Sequence, residues 1–98
     1  MYQFTCNESD CTSTYIGYTT NKLSERASQH KYNPSKIHLH YKTEHNINKI
    51  NNISDNFKVL YTNNNLYSLK IAEAIYIKKF RPDINIKFNE MNLKLNII

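Results

Sequence analysis

Residues 2–5 and 13–18 are rich in Tyr, Phe, Thr and Ile, residue types that fit a pleated surface. The polar stretch Asn7-Glu8-Ser9-Asp10-Cys11 between them predicts a turn, and therefore an antiparallel hairpin. Thr19-Thr20-Asn21 supplies N-cap chemistry for a helix over about 21–31, with Leu23, Ala27 and the aliphatic stem of Arg26 on a partly buried face. Pro34 and Ser35 restart the chain before a shorter helix over about 35–43. Residues 46–56 are mostly Asn, Ser and Asp with spaced isoleucines and read as a loop. Phe57-Lys58-Val59-Leu60-Tyr61 reads as a third strand. Asn63-Asn64-Asn65 then caps a helix from Leu66 to about Phe80, which Pro82 stops. Leu69, Ala72, Tyr76 and Phe80 recur in it at helical spacing and are expected to face the core. The order ββααβα predicts an α+β fold, a three-stranded antiparallel sheet flanked by helices. After Asn85, Met91, Leu93, Leu95 and Ile97 alternate with polar residues, a spacing open to either a strand or a frayed helix.

A chain of 98 residues has room for one domain with a modest core, and its 40% apolar share is that of an ordinary globular protein. No apolar run reaches transmembrane length and no charged-then-apolar segment opens the chain. The expected location is therefore intracellular, away from membranes, and the nucleus is the compartment expected. The formal charge of +5 and the sequence pI near 9.2 suit a polyanionic partner, because neutralising phosphates releases condensed counterions. Charge of this size also serves solubility alone, so it changes the picture only alongside site chemistry.

That chemistry starts with Glu73, the single carboxylate of the most apolar helical stretch, Leu69 to Ile77. A charge among core residues is costly unless it is paired, for instance with Lys70 or Lys78, exposed, or bound to a cation. Arg26 and His30 stand four residues apart on the first helix and share a face. A guanidinium can hold a phosphate oxygen bidentately, and an imidazole can move a proton. Tyr15 lies on the strand that also holds Gly17, the only glycine in the chain. A lone strand glycine marks a bulge or a close approach to the backbone. Cys6 and Cys11, with four histidines (His30, His38, His40 and His45) further along, have the spacing of metal ligands, and a reducing compartment disfavours a disulfide.

Taken in order, Tyr2, Tyr15-Ile16-Gly17, Thr19, Leu23, Arg26, His30, Glu73 and Asn85 resemble the GIY-YIG nuclease superfamily. The run Y-I-G-x-T-x-x-x-L-x-x-R-x-x-x-H is carried by residues 15–30, and Arg81-Pro82-Asp83-Ile84-Asn85 matches the segment with the family's trailing Asn. At the first half-motif Met1-Tyr2 stands where Gly-Ile-Tyr is usual, so only Tyr2 carries over, at a chain end expected to fray. The resemblance covers residues 1–86 as the nuclease-like domain and leaves 87–98 as a C-terminal tail. Within the superfamily, the chain is similar to the endonuclease domains of Penelope-like retroelements, which place cysteines between the half-motifs and histidines after the first helix.

The resemblance implies a metal-dependent endonuclease acting on DNA phosphodiester bonds, in the setting of a mobile element. It implies Mg²⁺ or Mn²⁺ on Glu73, with Tyr15 handling the proton of the attacking water. Tyr2 and His30 would adjust the Tyr15 hydroxyl, Arg26 would balance phosphate charge, and Asn85 would place a water or shape the metal site. Gly17 would let substrate approach closely, and Lys22 and Lys31 would contact flanking phosphates. It also implies structural Zn²⁺ on Cys6, Cys11, His40 and His45, with His38 as the alternative to His40. The rival expectation is a catalytically inactive, zinc-stabilised DNA-binding module.

Overall fold

The computed structural model describes residues 1–20, 22–31, 35–50 and 53–87. Strand β1 (Tyr2–Thr5) alternates buried Tyr2 and Phe4 with the less buried Gln3 and Thr5, the period-2 signature of a strand with one face on a core. It pairs antiparallel with β2 (Thr14–Gly17), from Tyr2↔Gly17 to Thr5↔Thr14. Its other edge takes β3 (Phe57–Val59), also antiparallel, with Tyr2 opposite Val59 and Phe4 opposite Phe57. The sheet order β2-β1-β3 makes β1 central, and the fold is the expected α+β arrangement with a three-stranded antiparallel sheet.

Helices α1 (Leu23–Gln29), α2 (Lys36–Glu44) and α3 (Leu66–Phe80) complete the domain. Ser35 caps α2 by accepting the Ile37 N–H, and the helix buries Ile37, His40 and Tyr41, three positions on one helical face. Asn65 caps α3 by accepting the N–H groups of Tyr67 and Ser68. The core joins Tyr2, Phe4, Phe57, Ala27, Ile37, Tyr41, Ile53 and Ile84. After α3, Arg81 takes the left-handed conformation (φ 48°), Pro82 follows, and residues 83–87 are helical again. Pro82 therefore both ends one helix and opens a second helical stretch, as its fixed φ permits.

Several expectations change at the edges. Strand β2 covers 14–17 and β3 covers 57–59, each shorter than the apolar run suggested. Beyond Val59, the Leu60 N–H turns to the Met1 carbonyl (2.9 Å) and the Met1 ammonium donates to the Tyr61 carbonyl (2.7 Å). These bonds pin the chain start, and Tyr2 is buried where fraying was expected. The N-cap of α1 falls to Lys22, whose side chain makes no capping bond, while Thr19 and Thr20 line a cavity instead. On α3, Leu69 is buried and Ala72 and Tyr76 are half-buried, but Phe80 is 57% exposed. Helical spacing marks the stripe but not how far along the helix it stays covered. Asn21, Pro34 and the tail residues Met91, Leu93, Leu95 and Ile97 lie outside the described residues.

Candidate active site and metal cluster

Three elements converge on a cavity of about 440 Å³: Tyr15 from β2, Arg26 and Gln29 from α1, and Leu66 and Glu73 from α3, with Tyr18, Thr19 and Thr20 closing it. Sequence separations of up to 58 positions (Tyr15 to Glu73) are bridged because β2 leads directly into α1 while α3 packs against β2. Glu73 is the one carboxylate among the described residues that line this space. Burial pushes its carboxyl pKa up, and Lys36, the Tyr18 N–H, Arg26 and the N-terminal ammonium pull it part of the way back. The strongest electrostatic pull on it thus comes from another helix, from Lys36 of α2.

Tyr2 and His30 sit beneath the cavity. The Tyr2 hydroxyl lies 2.5 Å from His30 Nε2 and accepts from Arg26 Nε at 3.2 Å. His30 Nδ1 lies 2.6 Å from Ser35 Oγ. Phe57 stacks on the His30 ring, and Tyr2 and Tyr15 meet it edge-on. Burial, then the Arg26 charge, depress the His30 pKa to about 3, so the imidazole is neutral. Burial raises the Tyr2 pKa as well, so its hydroxyl keeps its proton. For Tyr15, burial and then Glu73 raise the pKa, and the Arg26 guanidinium, which hydrogen-bonds it, offsets only part of that rise.

The glycine and the asparagine act by packing and pinning. A Cβ on Gly17 would lie 2.6 Å from the Tyr2 hydroxyl oxygen and 2.9 Å from Tyr15 Cε1, so its missing side chain makes room for both tyrosines. The pairing of β1 and β2 through Gly17 is regular, so it marks a close approach and no bulge. Buried Asn85 accepts the Ile16 N–H and donates to the Ile16 carbonyl, both at 2.8 Å. Asp83 accepts the Thr14 N–H at 2.8 Å. The outer edge of β2 is thereby paired by side chains, which removes an open sheet edge and fixes where Tyr15 stands. Asn85, Tyr2 and His30 do not line the cavity, and neither do Lys22 and Lys31.

At the other end of α2, Cys6, Cys11, His40 and His45 bring their donor atoms within 4.8 Å of one another. Cys6 Sγ lies 3.4 Å from His45 Nε2, and Cys11 Sγ lies 3.6 Å from His40 Nε2. The S···N edge of a tetrahedron with ordinary zinc–ligand lengths is about 3.6 Å, so the spacing suits a tetrahedral metal ion. The hairpin turn supplies the cysteines, and α2 with its C-cap supplies the histidines. His40, not His38, belongs to the set. Burial lowers the His40 pKa, keeping it neutral as ligation requires, and both cysteines are free of disulfides. Burial also pushes the Cys6 thiol up to about 11, a tendency that a bound cation reverses.

Ser35, Asp83 and the lining by Tyr18, Thr20 and Gln29 were not singled out as site residues by sequence. Gln29, three residues after Arg26 and bonded to it at 3.0 Å, carried the readable signal of helical spacing. Compared with known protein families, curated proteins and solved structures, the chain has no match in any of them.

Proposed function

We propose that the chain is a divalent-metal-dependent endonuclease of GIY-YIG type, cutting DNA phosphodiester bonds in the cavity between β2, α1 and α3. The observation that supports this reading most is the meeting of a phenol, a guanidinium and one carboxylate, Tyr15, Arg26 and Glu73, in a single cavity. The donor set fits a hard cation that keeps most of its waters, since such ions take one or two carboxylates from the protein. Held by Glu73, Mg²⁺ or Mn²⁺ supplies a Lewis acid for the scissile phosphate and the leaving 3′ oxygen.

The chain's own groups carry the remainder. Arg26 binds a phosphate oxygen and meets the charge that grows there in the transition state. Tyr15 accepts or relays the proton of the attacking water, with Arg26 stabilising its oxygen. Tyr2 and His30 hold the floor on which Tyr15 and Arg26 rest. Lys22 and Lys31 contact flanking phosphates, which positions substrate without reading sequence. On the same reading, Cys6, Cys11, His40 and His45 hold a structural Zn²⁺ that staples the hairpin to α2. The setting is a nuclear protein of a mobile element.

One observation favours a second reading. Lys36, Arg26 and the N-terminal ammonium all act on Glu73 and offset part of the cost of burying its charge without a divalent ion. The chain would then be an inactive, zinc-stabilised DNA-binding module. Nicking of supercoiled plasmid with Mg²⁺, with Mn²⁺ and with EDTA separates the two. The nuclease reading expects nicking that EDTA abolishes, and binding without nicking in either metal overturns it.

A further inference from the structure

We propose that Ser35 is a positioning residue whose hydroxyl accepts the Nδ1 hydrogen of His30 and so fixes the ring tautomer that holds Tyr2. This rests on the nuclease reading only for its consequence in catalysis.

The Tyr2 hydroxyl is buried with its residue 1% exposed, so its hydrogen needs a protein acceptor. Among the described residues it bonds with two groups. Arg26 Nε can only donate, and it does so at 3.2 Å. The Tyr2 hydrogen therefore goes to His30 Nε2, 2.5 Å away. A neutral imidazole that accepts at Nε2 carries its hydrogen on Nδ1, and the atom in reach of Nδ1 is Ser35 Oγ at 2.6 Å. Ser35 Oγ also accepts the Ile37 N–H at 3.2 Å, so one oxygen closes the first turn of α2 and orients His30.

The chain of donors runs Arg26 to Tyr2 to His30 to Ser35, and it points away from the cavity. Tyr2 is thereby held with its oxygen against the space above Gly17, where it packs beside Tyr15. The tyrosine left facing the cavity is Tyr15. Ser35 itself is placed by α2, which is anchored further along its length. Ile37 and Tyr41 enter the core, and the Tyr41 hydroxyl donates to Asn7 Oδ1 at 2.5 Å. The serine thus ties the floor of the cavity to a helix that is anchored elsewhere.

Long-range proton–nitrogen NMR spectra of the full chain read the tautomer directly. Wild type is expected to show His30 as a single Nδ1–H form. Ser35→Gly keeps a residue accepted at an N-cap but removes the oxygen. It is expected to lose the single tautomer and, in cleavage, to lower kcat by about 10–100-fold at unchanged KM, the scale seen when an outer partner of a functional imidazole is removed. Ser35→Thr, which returns a hydroxyl, is expected to restore both. An Nε2–H form in wild type, or an unchanged Nδ1–H form in Ser35→Gly, overturns the proposal. A Ser35-dependent tautomer in a chain that cleaves nothing keeps this inference and removes the nuclease reading.

Discussion

The Cys6–Cys11–His40–His45 cluster and the Glu73 cavity differ first in what surrounds their donors. In the cluster, four donors lie within 4.8 Å of one another, buried or half-buried at the join between the hairpin turn and α2. The set is closed: one tetrahedral ion satisfies every ligand and leaves no position for substrate. In the cavity, a single carboxylate stands in about 440 Å³ of space with Arg26 beside it and Lys36 in electrostatic reach. That set is open, and its free positions suit water and a phosphate. On the proposed reading, the contrast is between a site for structure and a site for chemistry.

Breaking the closed site should have the largest effect. Chelating the metal, or Cys11→Ser, is expected to abolish the cooperative thermal transition. Structural zinc binding is worth about 10–16 kcal/mol in small fingers, comparable to the whole 5–15 kcal/mol stability of most domains. A metal-free chain that melts like the loaded one would place the cluster outside the fold's support. Asn85→Ala comes next. It strands the Ile16 N–H and carbonyl at a buried position, at about 1–3 kcal/mol for each group left without a partner. Denaturant unfolding measures it, and Asn85→Asp should recover part of the loss by keeping the acceptor.

Gly17→Ala tests the packing under the open site. The added methyl collides with Tyr2 and Tyr15, and overpacking of this kind costs about 1–3 kcal/mol. Cleavage is expected to fall further than stability does, because Tyr15 moves. Unchanged turnover would detach Tyr15 from the reaction. The remaining effect is a pH dependence. His30 has a folded pKa of about 3, below the unfolded value of about 6.5. Its neutral form therefore stabilises the fold above pH 6.5, and that contribution is lost as the pH falls towards 3, since the unfolded chain takes up the proton first. The stability of wild type minus that of His30→Gln, measured across this window at saturating zinc, should decline with acid. A flat difference would place the imidazole in a solvated setting.

The hairpin, α2 behind Ser35 and α3 behind Asn65 were legible in sequence because local chemistry specifies them: apolar strand residues, a polar turn and two side-chain caps. The closed metal set was legible too, apart from the choice between His38 and His40, which depends on which face of α2 meets the turn. Much of the open site was not. Nothing local says that Lys36 reaches Glu73, that Asn85 grips Ile16, or that Tyr2 fills the space above Gly17. These interactions join residues 15 to 69 positions apart and exist only once the chain has closed. Phe80 shows the same limit from the other side, since helical spacing placed it on the core stripe and the fold leaves it exposed.

The central claim concerns Glu73, and plasmid nicking in Mg²⁺ by wild type and Glu73→Gln, with thermal melts of both, tests it most directly. Wild type is expected to nick, the variant to lose nicking by a factor of about 100 or more, and both to melt alike. A folded Glu73→Gln chain that nicks at the wild-type rate would contradict it.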